Sequence, residues 1–103
     1  MDISKDIISE PALLELCAEE CNELAHACVK MARKMRGENP TPVKDEYLRM
    51  KLIEEIADVR LTVDALVNLL QLPQEQIVET TIIKERRWIK RIDEKNKGDM
   101  DNG

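Results

Sequence analysis

Apolar side chains recur at helical spacing along three long segments, and turn-forming residues separate those segments. Ser9 and Pro11 mark a helix start, because serine caps free backbone N–H groups and proline is tolerated in the first turn. The helical pattern continues to about Arg36 and ends at Gly37. A stripe at 3.6-type spacing predicts the buried face of this helix: Leu14, Cys17, Cys21, Leu24, Cys28 and Met35.

Prolines and polar residues divide the rest of the chain. The pattern predicts three helices: the first over 9–36, the second beginning between residues 42 and 45 and ending at about 70, and the third over about 74–92. A loop over 37–42 and a break over 71–73 separate the helices. An N-terminal extension over 1–8 and a disordered tail over 93–103 flank them. Residues 9–92 are therefore predicted to form one helical domain.

The second helix is apolar around most of its circumference. Its apolar side chains are Leu52, Ile53, Ile56, Val59, Leu61, Val63, Leu66, Val67, Leu69 and Leu70. Such a helix must be covered on most sides, which two other helices of one short chain can hardly do. We therefore expect an all-α fold, in which long antiparallel helices form a bundle that is completed by assembly into a homodimer or homotetramer.

Composition supports a helical fold and narrows the class of partner. The 103 residues are 43% hydrophobic, 36% charged and only 2% aromatic, which favours packed amphipathic helices over a sheet. The formal net charge of −5 argues against binding to nucleic acid. A small phosphorylated substrate remains compatible with this charge, because a bound divalent metal inverts the local sign.

The cysteines and the apolar stretches predict a cytoplasmic protein. Cys17, Cys21 and Cys28 all lie on the first helix, so they cannot form a disulfide framework and are expected to be reduced core residues. The chain does not open on a signal-peptide pattern. Charged residues interrupt its longest apolar stretch, residues 56–70, so we expect no membrane partner.

Two pairs of carboxylates occupy positions where the helical pattern calls for buried side chains. Glu20 and Glu23 lie one turn apart on the first helix, and Glu55 and Asp58 lie one turn apart on the second. The first pair belongs to a seam of residues 13, 16, 20, 23 and 27, and Glu55 belongs to a seam of residues 48, 52, 55, 59 and 66. Both pairs are therefore candidates for one site between the helices, although solvated helix faces are the alternative.

Four carboxylates between two helices would repel one another unless a cation joined them. Like charges about 4 Å apart cost on the order of several kcal/mol at an effective dielectric of about 20. Ligation by oxygen alone selects hard ions such as Mg²⁺ or Mn²⁺. The pattern therefore predicts a divalent-metal site.

The acidic motifs resemble a known signature. Glu19-Glu20-x-x-Glu23 followed by Glu55-x-x-Asp58 is similar to the EExxE…ExxD signature of MazG-like all-α nucleoside triphosphate pyrophosphohydrolases. The resemblance covers roughly residues 10–92 and takes in four further stretches: His26-Ala-x-x-Lys30-x-x-Arg33, Arg36-Gly-Glu-Asn-Pro-Thr-Pro42, Ile53-Glu-Glu-Ile-Ala-Asp-Val59 and Lys84-x-x-Arg87-Trp88-x-x-Arg91.

The resemblance implies hydrolysis of (deoxy)nucleoside triphosphates to the monophosphate and pyrophosphate with Mg²⁺. Carried over by motif, the metal ligands would be Glu20, Glu23, Glu55 and Asp58. The catalytic carboxylates would be Glu19, Glu20 and Glu23, with Glu19 a candidate base. A metal-activated water would attack the α-phosphorus, and a carboxylate not fully engaged by metal would accept its proton.

Basic and aromatic residues supply candidate contacts for the substrate. Lys84, Arg87 and Arg91 share one face of the third helix, where they either bind triphosphate oxygens or merely solvate the surface. The side chain of Trp88 either stacks on a nucleotide base or packs against other side chains of the protein. The remaining candidates for substrate binding, on the first helix, are His26, Lys30 and Arg33.

Two alternative functions follow from the same residues. Glu23-x-x-His26 is the element used by carboxylate-bridged di-iron bundles, but a second Glu-x-x-His is required and the chain has one histidine. In a non-catalytic helical interaction protein, the acids would be surface charge only.

Overall fold

The computed structural model describes residues 8–38 and 43–102, with side chains described through residue 99. The regular secondary structure within these residues is entirely helical, which confirms the predicted all-α class: α1 spans Glu10–Arg36, α2 spans Asp45–Leu69 and α3 spans Gln74–Asn102. None of these helices combines the length and apolar character that crossing a membrane requires. Most of the predicted extension and loop, residues 1–7 and 39–42, lies outside the described residues.

Local signals at the ends of α1 act as the sequence predicts. The Ser9 side chain accepts a hydrogen bond from the backbone N–H of Ala12 at 3.3 Å, and proline occupies the first turn. At the other end, Gly37 adopts a left-handed conformation with a φ of 69° and donates its N–H to the carbonyl of Lys34. Glycine adopts this conformation without the steric penalty that a Cβ would add.

The third helix is longer than predicted. Its predicted end at about Ile92 is wrong, because the polar stretch predicted to be a disordered tail is helical through Asn102. Ion pairs between residues four apart support this part of the helix, with Lys97 lying 3.3 Å from Asp93 and Lys90 lying 4.0 Å from Glu94. Polarity alone was therefore a poor criterion for the end of the helix.

The chain divides into two compact units, Met1–Gln71 and Leu72–Gly103. In the first unit, Leu13 near the start of α1 packs with Ala65 and Leu69 near the end of α2. At the opposite ends of the same helices, the ammonium group of Lys34 contacts the carbonyl of Val43 and lies 3.6 Å from Asp45. The two helices therefore form a hairpin that sets their middle turns side by side.

The buried face of α1 is not the predicted stripe. Leu14 is 47% exposed, and Met35, Cys21 and Cys28 are exposed as well, whereas Leu13 is fully buried. The three cysteines are free, and the expectation of core cysteines is wrong for Cys21 and Cys28. The reason is that α1 carries two apolar stripes, and α2 covers the one that includes the acidic residues.

The second unit consists of α3 and the residues that lead into it. The predicted break after the second helix is confirmed, because α2 ends at Leu69 and α3 begins at Gln74. Nearly all described side chains of α3 are exposed, including the large apolar ones: Ile77, Val78, Ile82, Ile83, Trp88, Ile89 and Ile92.

Candidate metal centre

The hairpin of α1 and α2 brings the predicted carboxylates together. One oxygen from each of Glu20, Glu23 and Glu55 lies within 4.8 Å of the other two. Asp58, one turn after Glu55, is not part of this group of three, but it lies near enough to Glu20 to raise the pKa of that carboxyl. We call Glu20, Glu23, Glu55 and Asp58 the acidic cluster. The cluster forms because the seam of α1 that contains Glu20 and Glu23 faces the seam of α2 that contains Glu55.

Burial differs among the acids of this cluster. Glu55 is only 3% exposed and Glu20 is half-buried, whereas Glu23 and Asp58 are exposed. The seams on both helices continue with buried or half-buried apolar residues, namely Leu13, Leu16, Ala27, Leu48, Leu52 and Val59. The cluster therefore has an apolar base beneath two carboxylates and an edge that is open to solvent.

Two carboxylate oxygens of the cluster are buried without a hydrogen-bond partner. They are Oε2 of Glu20 and Oε2 of Glu55. A buried polar atom that lacks a partner carries an unrecovered desolvation cost, which is larger when the group is charged. A hard divalent cation would satisfy such oxygens, because Mg²⁺ prefers carboxylate ligands and retains several waters that the open edge can accommodate. The donor set thus fits a magnesium ion.

The electrostatics of the cluster are visible in Glu20. Its pKa is raised above the ordinary value, first because burial desolvates the carboxylate and then because Asp58, Glu23 and Glu55 are negatively charged. The hydrogen bond with Asp58 acts in the same direction, because it favours a shared proton. Without a cation, the cluster therefore favours protonation of Glu20.

We expect Glu20→Gln to stabilise the EDTA-treated protein at neutral pH, because it removes a charge that the cluster disfavours. A carboxyl whose pKa is raised by folding binds its proton more tightly in the folded state, so stability rises as pH falls through that pKa. The advantage of the variant should therefore shrink as pH falls below the raised pKa of Glu20 and vanish below 4.5, the ordinary value. Urea denaturation of the variant and the wild type across a pH series measures this difference in the free energy of unfolding.

Glu19→Gln is the matched control, because Glu19 is exposed next to Glu20 and lies outside the group of converging oxygens. Its stability difference from the wild type should stay small and flat with pH. A wild type more stable than Glu20→Gln in EDTA at neutral pH would contradict the repulsion inferred here.

Sequence reasoning missed one residue of this site. The ammonium group of Lys51 lies 3.2 Å from Oε1 of Glu55 and 3.9 Å from the carboxylate of Glu54. The spacing of four residues between Lys51 and Glu55 could have indicated the pair, because such residues are neighbours on a helix. Burial of Glu55, however, can be seen only in the structure.

Other predicted site residues on α1 are exposed to solvent, namely Glu19, His26, Lys30 and Arg33. His26 is not among the metal-ligating side chains that converge within the described residues. The Glu23-x-x-His26 element that suggested a di-iron bundle therefore contributes only its glutamate to the cluster.

The predicted cationic face of α3 lines a single groove of about 590 Å³. We call this the α3 groove, and its lining residues are Thr81, Lys84, Glu85, Arg87, Trp88 and Arg91. Trp88 is 69% exposed, so much of its surface is accessible to solvent. The four residues assigned to substrate on α3 thus share one surface.

Comparisons of the chain with protein-family models, curated proteins and solved structures returned no match. The support for a function comes from the chemistry of the acidic cluster and of the α3 groove.

Proposed function

We propose that the protein is a Mg²⁺-dependent pyrophosphohydrolase of (deoxy)nucleoside triphosphates, with Glu20, Glu23, Glu55 and Asp58 as metal ligands. The observation that supports this most strongly is the convergence of three carboxylates within 4.8 Å. Two of them have a buried oxygen without a partner. This arrangement costs free energy when no cation is present, and a bound cation would remove that cost.

The metal, when bound, would activate a water for attack on the α-phosphorus and neutralise charge on the leaving pyrophosphate. The chain must supply a group that accepts the proton of that water. Glu19 is the candidate for this role, because it is exposed beside Glu20 and lies outside the group of converging oxygens, so a bound metal would leave its carboxylate free to accept a proton. Glu23 and Asp58, at the exposed edge, would hold the metal where a substrate from solvent can reach it. His26, exposed on the same helix, would contact the substrate rather than the metal.

For the substrate, we propose that cations of α3 bind the triphosphate. Lys84, Arg87 and Arg91 line the α3 groove together, and guanidinium groups match phosphate oxygens in geometry and charge. Trp88, in the same groove, offers an exposed aromatic face on which a base can stack. On α1, Lys30 and Arg33 are exposed cations and are further candidates for phosphate contacts.

Arg87→Gln is expected to raise the KM for the triphosphate by about tenfold, equivalent to ~1.4 kcal/mol, with little change in kcat. The reason is the loss of one charge-assisted contact that the ground state and the transition state share. Arg86→Gln is the matched control, because Arg86 is exposed on α3 but does not line the groove. Equal KM values for the two variants in steady-state assays would contradict the assignment of the groove to the substrate.

We further propose that long antiparallel helices form a bundle completed by assembly into a homodimer or homotetramer. Apolar side chains of α2 that the hairpin leaves exposed support this proposal, namely Ile53, Ile56, Leu61 and Val63. Large apolar side chains that stay exposed in this number favour an interaction site. Light scattering measures the mass directly, and a monomer at all concentrations would overturn the proposal.

The free cysteines suit the reducing cytoplasm, where we place the activity.

A panel of canonical and modified triphosphates with Mg²⁺ or Mn²⁺ tests the proposed reaction. The expected products are a nucleoside monophosphate and pyrophosphate, and EDTA should abolish their release. Asp58→Ala should remove the activity and leave the helical content unchanged by circular dichroism, because Asp58 is exposed. No pyrophosphate release from any triphosphate with either metal would overturn the proposal and favour a non-catalytic helical interaction protein.

A further inference from the structure

One basic side chain is attached to the least exposed acid of the cluster. Lys51 lies one helical turn before Glu55 on α2, and its ammonium nitrogen is 3.2 Å from Oε1 of Glu55. The side chain of Lys51 is 48% exposed and that of Glu55 is 4% exposed. Oε2 of the same Glu55 is buried without a hydrogen-bond partner. Lys51 therefore neutralises one side of a carboxylate whose other side remains unsatisfied.

This pair differs from the other ion pairs between residues of one helix. Lys90–Glu94 and Lys97–Asp93 join side chains that are exposed on both partners, and such pairs contribute little because water screens them. Glu55 is buried, so its attraction to Lys51 is screened less. Among the ion pairs of the described residues, the Lys51–Glu55 pair is the one that involves an acid of the cluster.

We infer that Lys51 is a built-in counter-ion of the acidic cluster: it offsets the repulsion between the carboxylates when no metal is bound, and it weakens the binding of a divalent cation to them. This inference rests on the metal site of the proposed function. The same ammonium charge has two opposite effects. It attracts Glu55 in the metal-free protein, and it repels a second cation that approaches the same carboxylate.

The charge of Lys51 is present under the conditions in which a metal would bind. The ordinary pKa of a lysine ammonium group is about 10.4, far above neutral pH. Lys51 is therefore an ammonium group at neutral pH. Its positive charge and that of the metal compete for the same carboxylate, Glu55.

A different role for Lys51 predicts the opposite result. If Lys51 served only to orient Glu55 toward the metal, its removal would misplace a ligand and metal binding would weaken. A counter-ion that is removed leaves a more negative cluster, so metal binding becomes tighter. The sign of the change in metal affinity thus separates the two roles.

The test compares Mg²⁺ binding by isothermal titration calorimetry in the full-length wild type, Lys51→Gln and Lys51→Arg. Lys51→Gln is expected to bind Mg²⁺ about tenfold more tightly, because ~1.4 kcal/mol of repulsion is removed. Lys51→Arg keeps the charge and should behave as the wild type. Lys90→Gln, which removes an exposed lysine from a pair of the same spacing on α3, should leave Mg²⁺ affinity unchanged.

Thermal melting of the same variants provides a second readout that needs no activity. In EDTA, Lys51→Gln is expected to melt at a lower temperature than the wild type, because the repulsion is no longer offset. Saturating Mg²⁺ should remove that difference, so the metal-induced rise in Tm is larger in the variant. If Lys51→Gln is too unstable in EDTA to give a transition, recovery of its fold on addition of Mg²⁺ gives the same support.

The outcomes separate this inference from the proposed function. If the wild type binds Mg²⁺ while Lys51→Gln binds it equally or more weakly, the counter-ion role is overturned and the metal site stands. If the wild type shows neither heat of binding nor a shift in Tm with Mg²⁺, the metal site fails, and the counter-ion role fails with it.

Discussion

Glu55→Gln is expected to lower the rate of Mg²⁺-dependent pyrophosphate release by about three orders of magnitude, which corresponds to ~4 kcal/mol of transition-state stabilisation. A divalent metal in a hydrolase supplies several kcal/mol by activating water and stabilising developing charge. Glu55 is the most buried acid of the cluster, so it is held in place by packing and cannot be replaced by a neighbour. The amide of glutamine keeps the shape but lacks the charge that the metal requires.

The fold should tolerate this substitution. Glu55→Gln removes a buried charge from a cluster of like charges, and it leaves Lys51 half-exposed and free to be hydrated. The Tm in EDTA is therefore expected to stay the same or to rise, while the rise in Tm that Mg²⁺ causes in the wild type should disappear. The two measurements together separate loss of the metal site from loss of the fold.

Glu54→Gln is the matched control for this experiment. Glu54 precedes Glu55 on α2, has the same side chain and is 62% exposed. The control should retain most of the activity and the full effect of Mg²⁺ on Tm. Glu55→Gln with more than a tenth of wild-type activity would show that the buried carboxylate is not a metal ligand in the reaction.

Leu13→Ala is expected to destabilise the first unit by about 3 kcal/mol, within the usual range for truncating a buried leucine. Leu13 is fully buried and packs against Ala65 and Leu69, so its truncation would leave a cavity in this core. Because small domains are stable by only about 5–15 kcal/mol, a loss of this size is a large fraction of the total. Urea denaturation should show a clearly lower midpoint with an unchanged slope.

Leu14→Ala is the control for the packing of Leu13, because it makes the same truncation one position along on the exposed side of α1. Its effect on the midpoint should be below about 1 kcal/mol. The proteins must be compared at one concentration, since self-association would shift the midpoints. Equal losses for the two variants would mean that Leu14 is also covered, as it would be by a second copy of the chain.

Short-range features of the chain were predictable from the sequence. The start of α1 at Ser9, its end at Gly37 and the break over residues 71–73 depend on interactions between residues a few positions apart. The spacing of Glu20 with Glu23 and of Glu55 with Asp58 likewise fixes each pair on one helix face, whatever the rest of the fold does. For this reason the metal-ligand candidates could be named before their positions in space were known.

Contacts between helices decided the remaining features, because they depend on which faces meet. Periodicity offered two apolar stripes on α1, and only packing against α2 showed that Leu13 is buried and Leu14 is not. The same contact brings the oxygens of Glu20 and Glu55 together and removes Glu55 from water. A carboxylate oxygen on a helix is left without a hydrogen-bond partner only when a neighbouring helix excludes water from it. That exclusion is a property of the folded hairpin, so the sequence alone could not show it.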